Sequence, residues 1–319
     1  MREGSPLRVA FESDRNGFRE NNIRVKGRNT HYLSAGEPSF PTVLLLHGVV
    51  APAFVAYQEV IGPLSNSGFY AVAPDLPGHG ETDDPISYNT KNYVQFVSDF
   101  MDELEIKSAH LAGISFGGAL ALGTALEKPE RVEKLVLVNS YGFGEELHIP
   151  VIDAYRYVRR LLRTLPKEKI AARLFQLSFL SQAILGLKHI FKDQLKKPAK
   201  FVVNRFITHK KYADTEMPDE ELQSLIDGRG WPTLFSWLKT EMQPSGPQTN
   251  FVPQLEAAPL RHSTLLVKGA KDKIVPPEWA NIAHSLIPDS RVITFENSAH
   301  GLTLDEPYRF ADEVTTFLK

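Results

Sequence analysis

Ser115 lies between two glycines, Gly113 and Gly117, in the spacing Gly-x-Ser-x-Gly. An apolar stretch ends at Ala112 and another begins at Gly118, which predicts a buried strand, a sharp corner and a helix in that order. Glycine is needed on both sides of such a corner because a side chain there would collide with the neighbouring backbone. A serine held at this corner presents its hydroxyl as a nucleophile for acyl transfer.

A serine hydroxyl becomes a useful nucleophile only when an imidazole accepts its proton and a carboxylate orients that imidazole. Asp272 and His300 each follow a strand-like run late in the chain, at residues 264–268 and 291–295. Groups at the carboxyl ends of parallel strands share one edge of a sheet, so we expect both to reach Ser115. The alternatives are an Asx turn or helix cap at Asp272 and an ordinary loop histidine at His300. The order serine, aspartate, histidine favours the catalytic interpretation.

The negative charge that develops on a carbonyl oxygen during acyl transfer needs backbone N–H groups directed at it. Phe116, directly after the serine, provides one such group. The loop after residues 42–46 provides a second, and we expect the Val49 N–H to donate it because Gly48 allows close approach. His47 in the same loop is interpreted as a residue that orders the loop, with substrate contact as the alternative.

Strand-like runs bounded by turn residues alternate with helical patterns, which predicts a mostly parallel sheet covered on both faces. Residues 23–34 are predicted to form an antiparallel hairpin at the edge of this sheet, with its turn at Gly27 or Arg28. Asp305 and Glu306 lie where the last helix is expected to begin, so we predict that they cap it. The parallel strands are predicted at residues 42–46, 70–73, 110–113, 134–139, 264–268 and 291–295.

The alternation stops at Ser140 and resumes only at residue 264, and the interval between them carries helical patterns. We interpret this interval as a helical cap inserted into the sheet domain. The proline-containing stretch 243–259 is interpreted as the linker by which the chain leaves the cap. The predicted division is therefore a first core part, a cap and a second core part, at residues 1–140, 141–259 and 260–319.

A cap of this kind would enclose the site with apolar side chains, and the candidate substrate contacts are Phe143, Trp231 and Trp237. Residues 151–212 contain fifteen lysines or arginines against three acidic residues, a net charge of +12 against −14 in the rest of the chain. A basic cap could rest on an anionic membrane or attract acidic substrates. The alternative is an ordinary solvated helix face.

The composition is that of an ordinary globular chain, with 319 residues, 42% hydrophobic residues and a net charge of −2. The chain contains no cysteine, which excludes disulfides and a cysteine nucleophile, and no motif indicates a cofactor, a metal site or a nucleic-acid partner. Residues 1–10 lack a secretory pattern, so we expect a cytoplasmic protein. Residues 109–126 are almost all apolar, but the glycines and serine at their centre argue against a membrane span.

These residues together resemble the α/β-hydrolase superfamily, in the branch that carries a helical cap. The resemblance covers residues 30–141 and 264–319 and implies a doubly wound, mostly parallel α/β sheet with an inserted all-helical cap. Residues 74–83 resemble a family loop that is mainly structural, so we assign them no catalytic role. The other motifs that carry the resemblance are His47-Gly48, the elbow at 113–118, Gly269-x-x-Asp272, and His300 with Glu306-Pro307 downstream. The implied roles are Ser115 as nucleophile, Asp272 as acid, His300 as base, and Val49 and Phe116 as oxyanion donors.

Serine at the elbow bears on the activity that the resemblance implies. Haloalkane dehalogenases and epoxide hydrolases of this branch carry aspartate there, so both activities are disfavoured. Hydrolysis of a small-molecule ester, lactone or thioester remains, together with carbon–carbon bond hydrolysis of ring-fission dienones and peroxidase-like side activities. The loop after His47 carries Val-Val-Ala-Pro instead of the glycine-rich form of the carbon–carbon hydrolases, which favours ester hydrolysis. A catalytically silent ligand-binding protein on the same fold is the alternative from another class.

Overall fold

The computed structural model describes residues 17–144, 230–243 and 246–319. Eight of the described strands form one sheet, and two very short strands form a separate ribbon. In chain order the strands are β1 (Arg19–Val25), β2 (Arg28–Ala35), β3 (Thr42–Leu46), β4 (Tyr70–Pro74), β5 (Ala109–Ile114), β6 (Val132–Val138), β7 (Met242–Gln243), β8 (Gly246–Pro247), β9 (Thr264–Gly269) and β10 (Ser290–Phe295).

The large sheet has the strand order β1-β2-β4-β3-β5-β6-β9-β10. Strand β2 pairs antiparallel with β1 and β4, and every other pairing is parallel, which confirms the predicted mostly parallel sheet. The edge hairpin is also confirmed, and its turn lies at Lys26 and Gly27, whose φ angles are 48° and 82°. Positive φ at both central residues is the geometry that suits a two-residue hairpin turn.

Helices cover both faces of the sheet. Along β3, Leu44 and Leu46 pack into one core, while Val43 and Leu45 pack into the other. A strand buried on both faces is apolar throughout, which is why this run carries no polar residue after Thr42. The helices on the Leu44 face are α3 (Thr90–Glu103), α4 (Phe116–Glu127), α5 (Gly230–Glu241), α6 (Val252–Ala257) and α7 (Glu278–Leu286). Those on the Val43 face are α1 (Ala53–Tyr57), α2 (Ile61–Asn66), α8 (Leu302–Asp305) and α9 (Pro307–Leu318).

Residues 243–259 are predicted to be a linker, but the structure shows that they contain helix α6. Phe251 and Leu255 from this stretch are buried in the same core as α3 and α4. Pro253, at the start of this helix, is compatible with it because the missing N–H would have no partner there. Helix α5 corresponds to a helical pattern predicted in the cap, and it also packs against this core.

The other helical patterns predicted for the cap, and the basic segment 151–212, lie outside the described residues. The division at 141–259 therefore stays a prediction. Within the part of the chain that the structure describes, none of the helices combines the length and the apolar character that crossing a membrane requires. Residues 109–126, almost all apolar, form strand β5, a corner at Ser115 and most of helix α4.

Candidate active site

Ser115 lies at the corner between strand β5 and helix α4, as predicted. Its backbone has φ 57° and ψ −117°, a region that side-chain-bearing residues rarely adopt, and its N–H donates to the Val138 carbonyl oxygen at 2.8 Å. A Cβ added at Gly113 would lie 2.1 Å from the Gly117 carbonyl oxygen. The Ser115 side chain makes no capping hydrogen bond to α4. The strained corner therefore holds a serine whose hydroxyl is not used by the helix.

Gly117 offers a direct test of this corner. A Cβ there would lie 1.9 Å from the Leu46 carbonyl oxygen, so Gly117→Ala must displace backbone on two elements. We expect a loss of about 3 kcal/mol or more in the free energy of unfolding, measured by urea denaturation. The matched control is Gly62→Ala on helix α2, where a Cβ would meet nothing within 4 Å. Equal stabilities for the two variants would contradict the close contact at Gly117.

Asp272 and His300 are brought together by the turn after β9 and the loop after β10. His300 Nδ1 lies 2.8 Å from Asp272 Oδ2, and the Asp272 side chain is fully buried. The other carboxylate oxygen accepts from the backbone N–H groups of Ile274 and Val275 at 2.7 and 3.0 Å. Because both oxygens of the carboxylate act as acceptors, Nδ1 must donate to Oδ2 and therefore carries the proton. Nε2 is then the nitrogen that can accept a proton from a nucleophile.

Two carboxylates hold the loop that carries His300, although their position in the sequence predicts a different role for both. The prediction that Asp305 and Glu306 cap the last helix is wrong, since no side-chain capping bond is made at the start of α9. Asp305 instead accepts from the Ala299 N–H at 2.9 Å, and Glu306 accepts from the Ser298 hydroxyl at 2.7 Å. Both carboxylates therefore fix the loop just before the histidine.

The predicted oxyanion loop follows β3 and passes directly over the serine. A Cβ added at Gly48 would lie 3.5 Å from Ser115 Cβ, so the loop and the corner are in contact. Two hydrogen bonds fix the peptide units of this loop: His47 Nδ1 to the Gly48 carbonyl oxygen at 2.6 Å, and His79 Nε2 to the Val49 carbonyl oxygen at 2.8 Å. Phe116 is the first residue of α4, where the N–H groups have no partner within the helix. Val49 follows the residue that contacts the corner, and Phe116 directly follows Ser115, so the role of their N–H groups as oxyanion donors stays a prediction.

His47 is fully buried, and both of its ring nitrogens are hydrogen-bonded. Nδ1 donates to the Gly48 carbonyl oxygen at 2.6 Å, and Nε2 accepts from the Leu76 N–H at 2.8 Å. Burial, reinforced by the neighbouring His79, lowers the pKa of His47 to about 3, so the ring is neutral. Burial also lowers the pKa of His79. These contacts favour the loop-ordering interpretation of His47 over substrate contact.

The buried state of His47 predicts how stability depends on pH. The unfolded chain binds a proton at this histidine near pH 6.5, whereas the folded chain does so only near pH 3, so acid favours unfolding throughout that interval. Between pH 7 and pH 5 the contribution is about 2 kcal/mol. Urea denaturation of His47→Gln at both pH values should show a smaller loss on acidification than the parent chain shows. An identical loss in both proteins would contradict the neutral, buried ring.

A second buried aspartate–histidine pair lies next to the loop that follows β3, and no pattern in the sequence predicts it. His31 Nδ1 lies 2.8 Å from Asp75 Oδ2, and Asp75 Oδ1 accepts from the Ala53 N–H at 2.8 Å. Burial alone would lower the pKa of His31, but the hydrogen bond and charge of Asp75 raise it. The pair anchors the start of α1, directly after the predicted oxyanion loop. This agrees with a structural role for the Asp75 loop.

Aromatic side chains cover the site on the α5 side. Trp237 from α5 packs edge-on against Phe116 and Tyr141, with ring centroids 5.3 and 5.4 Å apart. Phe143 is buried and lines a small cavity with Ser140 and Trp279. The predicted contact Trp231 belongs to α5, but its side chain lies outside the described residues. Of the three aromatic candidates, the structure therefore brings Trp237 next to the residue that follows the serine.

Comparison with known proteins gives three kinds of match. A family model described as the alpha/beta hydrolase fold matches residues 41–307. The 2-hydroxy-6-oxo-6-phenylhexa-2,4-dienoate hydrolase of Comamonas testosteroni is 27% identical over 305 residues, which cover 91% of each chain. The solved structure of the enzyme of the same name from a Rhodococcus species has a TM-score of 0.70 at 21% identity and covers 94% of this chain and 98% of that chain. A bacterial membrane phospholipase A has a TM-score of 0.69 at 21% identity and covers 95% of this chain and 86% of that chain.

Proposed function

Because the chain belongs to the α/β-hydrolase fold family, we propose that it is a serine hydrolase that cleaves a carboxylic ester through an acyl-serine intermediate. The observation that carries the proposal is the buried pair of His300 and Asp272, joined at 2.8 Å, at the sheet edge where the strained Ser115 also lies. A nucleophile, a base and a group that orients the base are the minimum set for this chemistry.

In the first half of the reaction, Ser115 Oγ attacks the ester carbonyl carbon and His300 Nε2 accepts the hydroxyl proton. The carbonyl oxygen becomes an oxyanion, which the N–H groups of Val49 and Phe116 stabilise. The carbon–oxygen bond to the alcohol then breaks, and the imidazole returns its proton to the departing alcohol. In the second half, water gives a proton to the same imidazole and attacks the acyl-serine. The bond between the acyl carbon and Ser115 Oγ then breaks, and Oγ takes the proton back from the imidazole, which releases the carboxylic acid and restores the serine.

The residues next to Ser115 favour an uncharged substrate with an apolar acyl group. Phe116, which directly follows Ser115, forms a buried aromatic cluster with Trp237 and Tyr141. Among residues 17–144, 230–243 and 246–319, no lysine or arginine is buried. A substrate carboxylate would need such a cation when it is removed from water. An ester, lactone or thioester without a charge makes no such demand.

Carbon–carbon bond hydrolysis of a ring-fission dienone is the second candidate, and the relative from Comamonas testosteroni favours it because its name describes that reaction. Such a substrate carries a carboxylate, so its binding would need a cation other than the buried residues that the structure describes. The two candidates share the same serine, base and acid and differ in the acyl substrate that they accept.

A fluorophosphonate probe tests the proposal without knowledge of the substrate. We expect stoichiometric labelling of the purified protein, with the label on the peptide that contains Ser115 by mass spectrometry. Labelled protein should then be compared with unlabelled protein on p-nitrophenyl butyrate and on 2-hydroxy-6-oxo-6-phenylhexa-2,4-dienoate. Ester turnover that labelling abolishes supports the first candidate, and dienoate turnover that labelling abolishes supports the second. No labelling of folded protein would contradict a serine hydrolase and favour a silent binding protein.

A further inference from the structure

Asn139 lies directly after β6 and connects the three segments that carry the proposed catalytic residues. Its backbone N–H donates to the Val267 carbonyl oxygen on β9 at 2.9 Å. The residue before it, Val138, accepts the Ser115 N–H at 2.8 Å. Asn139 is buried, and its φ angle is 42°, in the left-handed region that asparagine tolerates better than most residues. Its position alone therefore places its side chain between the nucleophile corner and the β9 end.

The side-chain amide of Asn139 uses both of its ends. Nδ2 donates to the backbone carbonyl oxygens of Ala299 and His300 at 3.1 and 2.9 Å. Oδ1 accepts from the N–H of Gly269, the last residue of β9, at 2.9 Å. The partners fix the orientation of the amide, because two carbonyls require donors and an N–H requires an acceptor. Few side chains as short as this one can donate two hydrogen bonds and accept a third.

The segments that the amide joins are already in close contact. A Cβ added at Gly269 would lie 2.4 Å from the Ala299 carbonyl oxygen, so the end of β9 and the His300 loop touch through their backbones. Asp272 follows Gly269 by three residues, and the amide holds the backbone of His300 itself. The Asn139 amide therefore sets the distance between the segments that carry Asp272 and His300. The residue before Asn139, Val138 at the end of β6, is bonded to the Ser115 corner.

From this geometry we propose that Asn139 is a positioning residue, which holds the His300 backbone so that its imidazole stays aligned with both Asp272 and Ser115. The inference rests on the proposed function. Acyl transfer is sensitive to displacements of about 1 Å, which can lower a rate by about 10²-fold. Loss of the amide should therefore slow the chemical step while leaving substrate binding nearly intact.

Two substitutions separate the parts of the side chain. Asn139→Gly removes the amide and tolerates the positive φ, which alanine would not. Asn139→Asp keeps the size and the acceptor for Gly269 but cannot donate to the two carbonyls while it is ionised. Both variants should react with the fluorophosphonate probe about 10²-fold more slowly than the parent chain. With whichever of the two test substrates the parent chain turns over, kcat should fall by a similar factor while KM changes by less than about threefold.

Arg131→Ala is the matched control. Arg131 also ties down two backbone carbonyls, those of Ile106 and Lys107 at 2.9 and 2.8 Å, and it pairs with Asp102. It precedes β6, whereas Asn139 follows it, so the two side chains act at opposite ends of the same strand. The control should lower the thermal midpoint without slowing the probe reaction. An equal slowing in Arg131→Ala would mean that general destabilisation explains the Asn139 variants, and the proposal would be overturned.

A spectroscopic measurement separates this inference from the proposed function. The proton between His300 Nδ1 and Asp272 Oδ2 should give a low-field proton resonance in the parent chain, and His300→Ala identifies it by its absence. We expect this resonance to be lost by exchange in Asn139→Gly and to persist in Arg131→Ala. If Asn139→Gly keeps the resonance and the parent rate of labelling, Asn139 does not position the base. If the parent chain is not labelled, the proposed function fails, while the resonance still decides whether Asn139 holds the pair.

Discussion

Replacing Ser115 with alanine is expected to lower turnover by roughly 10⁴- to 10⁶-fold, and replacing His300 with alanine should cost about as much. In the proposed mechanism the Ser115 hydroxyl oxygen forms the acyl bond, and without the imidazole the hydroxyl remains protonated and weakly nucleophilic. Since each residue needs the other, the double variant should be no slower than either single variant within a few fold. Steady-state kinetics on a p-nitrophenyl ester, with the residual rate compared to the uncatalysed reaction, gives all three numbers.

The controls for this prediction come from one exposed turn of helix α7. Ser285→Ala and His284→Ala remove the same two side-chain types at positions that face solvent. Both should retain the parent turnover. Losses at Ser115 and His300 that add in the double variant would show that the two side chains act independently, which a nucleophile and its base cannot do. A Ser115→Ala protein that keeps full turnover would exclude the acyl-serine route.

The parallel strands and the serine corner were predictable because their signals are local in sequence. Strand β3 is apolar without interruption since both of its faces are buried, and Gly113 and Gly117 are required by contacts with backbone only a few residues away or on the adjacent strand. The approach of Asp272 to His300 was also predicted, because residues after parallel strands gather at one sheet edge. These features do not depend on how side chains far apart in the sequence pack against one another.

The residues that hold the site in place were not predictable in the same way. Asn139 contacts backbone 160 residues further along the chain, and His31 contacts Asp75 across 44 residues. Asp305 was assigned to a helix cap because acidic residues at a helix start commonly cap it, and only the fold shows that it points to the Ala299 N–H instead. The available signal at Asn139 was a polar residue directly after a buried strand, with a side chain that tolerates the left-handed region.

Replacing Asp272 with asparagine should lower turnover by about 10⁴-fold while leaving the fold intact. In the parent chain Oδ1 accepts from the N–H groups of Ile274 and Val275, and a carboxamide oxygen can keep both bonds. The amide nitrogen must then replace Oδ2, and it can only donate. His300 Nδ1 would have to accept that bond, which moves the ring proton to Nε2 and leaves no lone pair there to accept the Ser115 proton.

Asp272→Asn is more informative than removal of the side chain, because it changes the tautomer of His300 and keeps the buried hydrogen bonds. Asp272→Ala would leave two buried N–H groups without an acceptor, so a loss of activity could follow from misfolding. Asp272→Asn keeps those bonds, and its thermal midpoint should stay close to that of Asp312→Asn, the same change at an exposed position on α9. Turnover measured at pH 7 should nevertheless separate the two variants by about four orders of magnitude. Comparable turnover in the two would mean that the carboxylate does not set the tautomer of His300, and the proposed base would lose its orienting partner.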